Sequence, residues 1–378
     1  MDFELSEEQQ MMKQAAHKFL AKECPNSLVR EMELDGRGFT YELWQKMAEL
    51  GWMGLLLPER YGGLEGNFLD LAVLLYEMGF VCLPGPFFST IVLGGTTILD
   101  AGTEAQKKMI LTEVATGSRV LTLAWAERYG SYAPQGISLK AETTDGHYIL
   151  SGTKLFVPDA QVAQSIVCAV RTKGNDNNPE EGLSLLLVDG QSHGLKIEPL
   201  GTIAGDKQCE ITFDRVKVPE QHLMGRPDEG WPILEKILQK ASVAKCAEMI
   251  GGAERVIELV MLQAKERVQF GRPIGSFQAI QHHCADILTY FETSKFMTFE
   301  AAWRISVGLP YEKEASMCKA WVSDCYRRLV GLGQEVMGGM GFMEEHDLQL
   351  YFRRAKAAEL AFGDGDFHRE LVARHMGL

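Results

Sequence analysis

No stretch of the chain supplies the roughly 18 uncharged apolar residues that suggest a membrane-spanning helix. The first residues, Met1-Asp2-Phe3-Glu4-Leu5-Ser6-Glu7-Glu8, are acidic and lack the apolar run of a secretion signal, so a cytoplasmic protein without a membrane span is expected. Paired cysteines are missing too. Cys24, Cys82, Cys168, Cys209, Cys246, Cys284, Cys318 and Cys325 are scattered with no C-x-x-C among them, which leaves zinc ribbons and thioredoxin-type motifs unsupported and favours buried, reduced thiols. Basic residues are in the minority: Lys+Arg 38 against Asp+Glu 51 gives a formal charge of −13, so a general affinity for nucleic acid or anionic membrane is not expected. A local basic funnel for an anionic ligand remains compatible with that balance. Repeats and low-complexity tracts are absent as well, and 46% hydrophobic with 24% charged residues excludes disorder, collagen and small disulfide scaffolds. What remains is a globular chain of 378 residues, long enough for two or three domains.

Its texture changes twice. Residues 1–117 read as a small helical bundle: Ser6 with Gln9 and Thr103 with Gln106 form capping boxes, and Pro58–Gly63 and Leu83–Pro86 punctuate the helices. Residues 118–225 read as a β domain, with strands at Val120–Trp125, Ile137–Ala141, Tyr148–Leu150, Ser165–Val170, Leu183–Val188, Leu195–Ile197 and Cys209–Phe213. Asp145-Gly146 suits a hairpin turn, Gly174–Gly182 is a polar loop, and no useful helix fits between strands, so a barrel or sandwich is favoured over a parallel βαβ sheet. Residues 226–378 return to helix, with long segments near 229–267, 276–306 and 310–337 that suit an antiparallel bundle pairing between subunits.

Two strings stand out. Glu266–His282 (ERVQFGRPIGSFQAIQH) stops a helix at Gly271 and Pro273 and restarts it at Ser276, with a basic side chain before the break and an amide after it, where an anion could sit. Gly338-Gly339-Met340-Gly341-Phe342 lets backbone approach a ligand closely. With the order of the three regions, these strings resemble the acyl-CoA dehydrogenase flavoproteins over essentially the whole chain. The resemblance implies an α+β fold with an amino-terminal helical bundle, a middle β-barrel or sandwich domain and a carboxyl-terminal four-helix bundle. It also implies FAD as cofactor, an acyl-CoA substrate, a homo- or hetero-tetramer and electron-transfer flavoprotein as acceptor.

Site residues follow from the same resemblance. Arg267, Phe270 and Gln278 would reach the FAD of a neighbouring subunit, Arg267 serving the pyrophosphate and the other two the adenosine part. Gly338 and Gly339 would receive the same adenosine diphosphate moiety. Glu335 stands where the family usually has Gln, with Gln334 beside it; a carboxylate facing pyrophosphate would be unfavourable, so either Glu335 turns away or this half-site binds flavin poorly. Around the isoalloxazine the usual Thr-Glu-Pro becomes Ala126-Glu127-Arg128, and the usual Trp-Ile-Thr-Asn becomes Phe156-Val157-Pro158-Asp159. Phe156 would still cover the flavin, but Pro158 has no hydroxyl for the flavin N5 region.

Desaturation of an acyl-CoA needs a carboxylate to take the α-proton while hydride leaves the β-carbon for flavin. Counting from Arg354-Ala355-Lys356 places Phe362 where the family's usual Glu stands, and Lys240–Ala244, the other place some members use, has no acid. Asp364 is the first suspect for a relocated base, although Asp364-Gly365-Asp366 before Phe367 also resembles a helix start. Asp364, Asp366 and His368, or His282-His283-Cys284, make weak metal sets. Four readings of the missing base stay open: a subunit of a two-component dehydrogenase whose paralogous partner supplies the base, as in catabolism of sterol-derived, dicarboxylic, aromatic or cyclic acids; a self-sufficient enzyme using Asp364; a bond-cleaving acyl-CoA enzyme on the same scaffold; and a companion subunit without chemistry.

Overall fold

The computed structural model describes residues 5–174 and 178–378; the first four acidic residues and the middle of the Gly174–Gly182 loop lie outside the described residues. Contacts divide the chain into two compact units. One holds the start of the chain to Arg30, Asn67–Leu83 and Ser242–Leu378; the other holds Glu31–Gly66 and Pro84–Ala241.

Six α-helices precede the strands: α1 (Glu7–Glu23), α2 (Asn26–Leu34), α3 (Tyr41–Glu49), α4 (Phe68–Phe80), α5 (Thr96–Ala101) and α6 (Glu104–Ala115). The Ser6/Gln9 and Thr103/Gln106 boxes begin α1 and α6 as the sequence predicts, and a third box that the sequence analysis missed, Asn67/Asp70, begins α4. In the first unit α4 buries ten of its thirteen side chains, which is why it reads as apolar on nearly every face. One of the ten is Glu77, whose carboxylate meets His17 Nδ1 at 2.8 Å and Lys13 Nζ at 3.8 Å.

Eight strands follow: β1 (Leu121–Ala124), β2 (Lys140–Thr144), β3 (His147–Pro158), β4 (Ser165–Arg171), β5 (Leu183–Asp189), β6 (Leu195–Leu200), β7 (Gln208–Pro219) and β8 (Leu223–Met224). They form one sheet in the order β6-β7-β3-β2-β4-β5-β8, with β1 parallel to β4 and most other pairs antiparallel. Asp145 and Gly146 take φ of 39° and 76° and close the β2–β3 hairpin, as read from their identities. β3 and β7 run well beyond the predicted segments because register shifts after Leu150 and Lys154 break the apolar alternation that marks a strand in sequence.

The carboxyl-terminal helices are α7 (Trp231–Glu266), α8 (Gln278–Ser306), α9 (Glu312–Met337), α10 (Leu348–Leu360) and α11 (Gly365–His375). The first three match the long predicted segments within a few residues. In the first unit α8, α10 and α11 all pack on α9. There, α4 and α7 touch backbone to backbone: a Cβ on Gly251 would stand 1.8 Å from Tyr76 O, and one on Gly79 2.0 Å from Glu248 O. Among the described residues no helix is long and apolar enough to cross a membrane.

Candidate functional site

The Glu266–His282 string does more than interrupt a helix. After α7 ends, Val268–Gln269 (β9) and Arg272–Pro273 (β10) pair as a two-residue hairpin whose turn residues, Phe270 and Gly271, both have positive φ, 53° and 80°. Ile274 N–H donates to Arg267 O at 2.8 Å and ties the base of this hairpin. Phe270 is therefore held out, 92% exposed, with its ring edge-on to Phe277 at 6.1 Å, while Arg272 lies over Phe277 at 4.1 Å.

In the same unit α9 ends at Met337, and Gly338 (φ 66°) opens a 3-10 turn through Phe342. Hairpin and turn border an open cavity of about 610 Å³ lined by Gln263, Arg267, Phe270, Phe277, Met337, Gly338 and Gly339 among others. A Cβ placed on Gly338 or Gly339 would meet nothing within 4 Å, so both glycines leave room for a ligand to reach the backbone. A mostly apolar cavity with one guanidinium at its wall suits a planar heterocycle carrying an anionic group.

Two expected contributors lie elsewhere. Gln278 is exposed at the first turn of α8 and does not line the cavity. Glu335 also stays out of the lining: it faces His283 on α8, Oε2 to Nε2 3.4 Å, so its carboxylate is turned away from the cavity. Gln334 points inward instead, donating to Gly341 O at 3.1 Å and leaving its buried Oε1 without a partner.

The β-domain residues belong to the second unit. Ala126 O accepts from Leu155 N at 2.9 Å, joining the loop after β1 to the bulge of β3. Glu127 is buried and fully engaged: it pairs with Lys154 Nζ at 2.7 Å and accepts from Ser138 N, Ser138 Oγ and Leu139 N. Burial alone would raise this carboxyl, but the Lys154 ammonium and the donated hydrogen bonds outweigh it and hold the pKa below the ordinary range. Glu127 therefore shapes the loop, with three donors on Oε1 and the Ser138 hydroxyl on Oε2. Phe156, at φ 51° and 62% exposed, is presented outward by the bulge that Lys154 anchors. Pro158 O accepts from Thr122 Oγ1, fixing the strand end where the sequence has no hydroxyl to offer.

Back in the first unit, the α10–α11 turn is built as tightly. Phe362 has φ 59° and Gly363 φ 106°. Asp364 caps α11, its Oδ1 accepting from Phe367 N at 2.9 Å, as a helix start requires. Asp366 pairs with Arg369 at the surface. Among the described residues no three His, Cys, Asp or Glu side chains gather as a metal site. Two buried groups lie beside this turn: Lys319, which the sequence analysis passed over, and His368, which it considered only as part of a weak metal set. Lys319 donates to Glu359 O and Gly363 O, and burial pushes its pKa down to about 8 against the pull of Cys246, Cys318 and Glu359. His368 contacts Phe362 O, and burial with the nearby Lys319 charge pushes it down to about 4. Nothing in the local sequence distinguishes Lys319 from a surface lysine; the Gly-x-Gly-x-x-His spacing of 363–368 is the one available signal for His368.

With this geometry in hand, comparison with known proteins is consistent along the chain. It matches the acyl-CoA dehydrogenase N-terminal domain over residues 6–118, the middle domain over 109–216 and the C-terminal domain over 228–377. It is 30% identical to the probable acyl-CoA dehydrogenase YngJ of Bacillus subtilis (strain 168), covering 100% of both chains. Among solved structures it resembles an acyl-CoA dehydrogenase from Geobacillus kaustophilus (26% identity, TM-score 0.93, 99% of each chain). It also resembles the Tcur3481-Tcur3483 steroid ACAD (27% identity, TM-score 0.87, 98% of each chain).

Proposed function

The chain belongs to the acyl-CoA dehydrogenase family, and from that premise we propose that it is one subunit of a two-component, FAD-dependent acyl-CoA dehydrogenase, with a paralogous subunit supplying the base. The observation that carries this reading is the α10–α11 turn. By the count along the sequence we assign Phe362 to the place of the usual Glu, and the nearest carboxylate in sequence, Asp364, caps α11 through one of its oxygens. The likeness to a steroid dehydrogenase named for two components supports the same reading. The substrate class we assign is the acyl-CoA thioester of a sterol-derived, cyclic, aromatic or dicarboxylic acid, handled in the cytoplasm.

FAD is the cofactor of this family and, when bound, supplies the hydride acceptor. The residues of the first unit fit its dinucleotide end. Arg267 lines the cavity and has no ion pair among the described residues, Gly338 and Gly339 leave open space above their backbone, and Phe270 is an exposed ring beside the same cavity. Glu335, turned to His283, removes the electrostatic objection that the sequence raised. Gln278 would act from the first turn of α8, outside the cavity. In the second unit Phe156 offers an aromatic face, and Ala126 and Glu127 act through the loop they hold. The electron acceptor we assign is electron-transfer flavoprotein, by likeness to the Etf complex subunit CarC of Acetobacterium woodii, 27% identical over 97% of this chain. The working assembly would be a tetramer, with functional segments 1–117, 118–225 and 226–378.

Exchange of the substrate α-proton in deuterated water tests the proposal. The chain alone should leave the α-protons of cyclohexanecarbonyl-CoA unexchanged, and F362E should introduce exchange. Exchange by the unaltered chain, abolished by D364N, would transfer the role of base to Asp364 and end the two-component reading.

A further inference from the structure

Lys319 lies on α9 with its side chain wholly buried. Its ammonium has three protons and three acceptors: Ser323 Oγ at 3.0 Å, Glu359 O at 2.9 Å and Gly363 O at 2.9 Å. One acceptor is in α9, one is a carbonyl near the end of α10, and one belongs to the turn beyond it. His368 approaches the same turn from α11, 3% exposed, with Nε2 3.0 Å from Phe362 O. A carbonyl only accepts, so Nε2 carries the proton, and the buried Nδ1 is left without a partner. Two buried donors from different helices thus grip the carbonyls of residues 359, 362 and 363. All the residues concerned lie within one unit.

The backbone between these grips is in conformations that side chains rarely adopt, φ 59° at Phe362 and 106° at Gly363. A Cβ on Gly363 would stand 2.5 Å from Phe367 and 2.8 Å from His368, so the turn is closed against its own helix. An apolar side chain at 319 would fill the same space without desolvating a charge; an ammonium there specifies one arrangement of carbonyls. We propose that Lys319 and His368 are positioning residues that fix the backbone of residues 360–364, and with it the direction of side chain 362, whatever that side chain is. The pair makes position 362 a preset mount on which Phe blocks, and Glu would perform, proton abstraction. That last step rests on the two-component reading; the grip on the backbone does not.

Hydrogen exchange on the full-length chain tests the grip by itself. K319M and H368L should each accelerate amide exchange across residues 359–368 by about tenfold or more, with wild-type protection kept in the middle of α7 and in β4. H368Q, which retains an N–H donor, should stay near wild type. Unchanged exchange in K319M and H368L, or acceleration spread evenly over the whole chain, would overturn the proposal. A second arm adds K319M to F362E, and the α-proton exchange gained by F362E should fall by about tenfold while binding of cyclohexanecarbonyl-CoA is retained. If F362E gains nothing although the hydrogen-exchange result holds, the reading of residue 362 as the base position fails and the positioning role stands. Where F362E does gain α-proton exchange, an equal rate with and without K319M would remove the positioning role.

Discussion

His368 is held at about 4 in the folded chain, below the ordinary histidine value of about 6.5, because burial and the Lys319 charge both disfavour its imidazolium. As pH falls the unfolded chain therefore takes up a proton first. The stability contributed by neutral His368 is complete above about pH 6.5 and is lost progressively toward pH 4, roughly 2 kcal/mol of it between pH 7 and pH 5. Urea unfolding of wild type and H368Q at these two pH values checks this: the difference between the proteins should shrink or reverse at pH 5, and parallel pH dependence would contradict it. Glu127 and Lys154 give a second prediction. Removing the ammonium in K154M leaves a buried carboxylate without its cation and should cost roughly 3–5 kcal/mol, and E127Q/K154M should recover part of that in the same unfolding measurement. Lys154 sits in an apolar strand and Lys319 in a helix that reads as amphipathic, so the sequence offered no reason to bury either. That Arg267, Phe270 and Gly338 would line one cavity could be looked for in sequence because they fall in two conspicuous strings, whereas the two lysines have buried partners 27 and 40 or more residues away.

Among the helices, the tightest contact in the first unit is the α4–α7 crossing at Gly79 and Gly251. Because the atom opposing a Cβ on Gly251 is the Tyr76 carbonyl, no side-chain rotation can relieve the clash and the helices must separate. G251A should lower stability by about 3 kcal/mol or more, seen as a fall in the thermal midpoint, despite the gain in helix propensity that alanine brings. A rise in the midpoint would show that the helices stand further apart. Helix ends and the Asp145-Gly146 hairpin were readable because capping boxes and primed turns depend on two or four neighbouring residues. The full lengths of β3 and β7 were not, since bulges shift the side-chain alternation by one residue and hide the second half of each strand. The hairpin at Val268–Pro273 escaped for a related reason: Gly271 and Pro273 announce a break, but a two-residue pairing with Phe at positive φ has no periodicity to read.

At the scale of the whole molecule, the family and the α+β architecture were legible from the order of textures and the Glu266–His282 string, and the matches along the chain bear both out. Of the two outcomes the sequence left open for Glu335, facing an anion or turning away, the side chain is found beside His283 and outside the cavity lining. If Arg267 serves the pyrophosphate, R267A should weaken flavin binding by about tenfold or more without changing the thermal midpoint of the flavin-free chain, since the guanidinium makes no contact that the fold needs. Equilibrium dialysis of the chain together with its partner against FAD reads this directly.

The central claim, that this chain needs a paralogous partner to complete its chemistry, meets its most direct test in the visible absorption spectrum of the chain purified alone, taken with its protein concentration. The account predicts a colourless protein, or about one flavin per two chains, rising to full occupancy when the partner is present. One FAD per chain, bleached by a saturated acyl-CoA with no partner added, would contradict it.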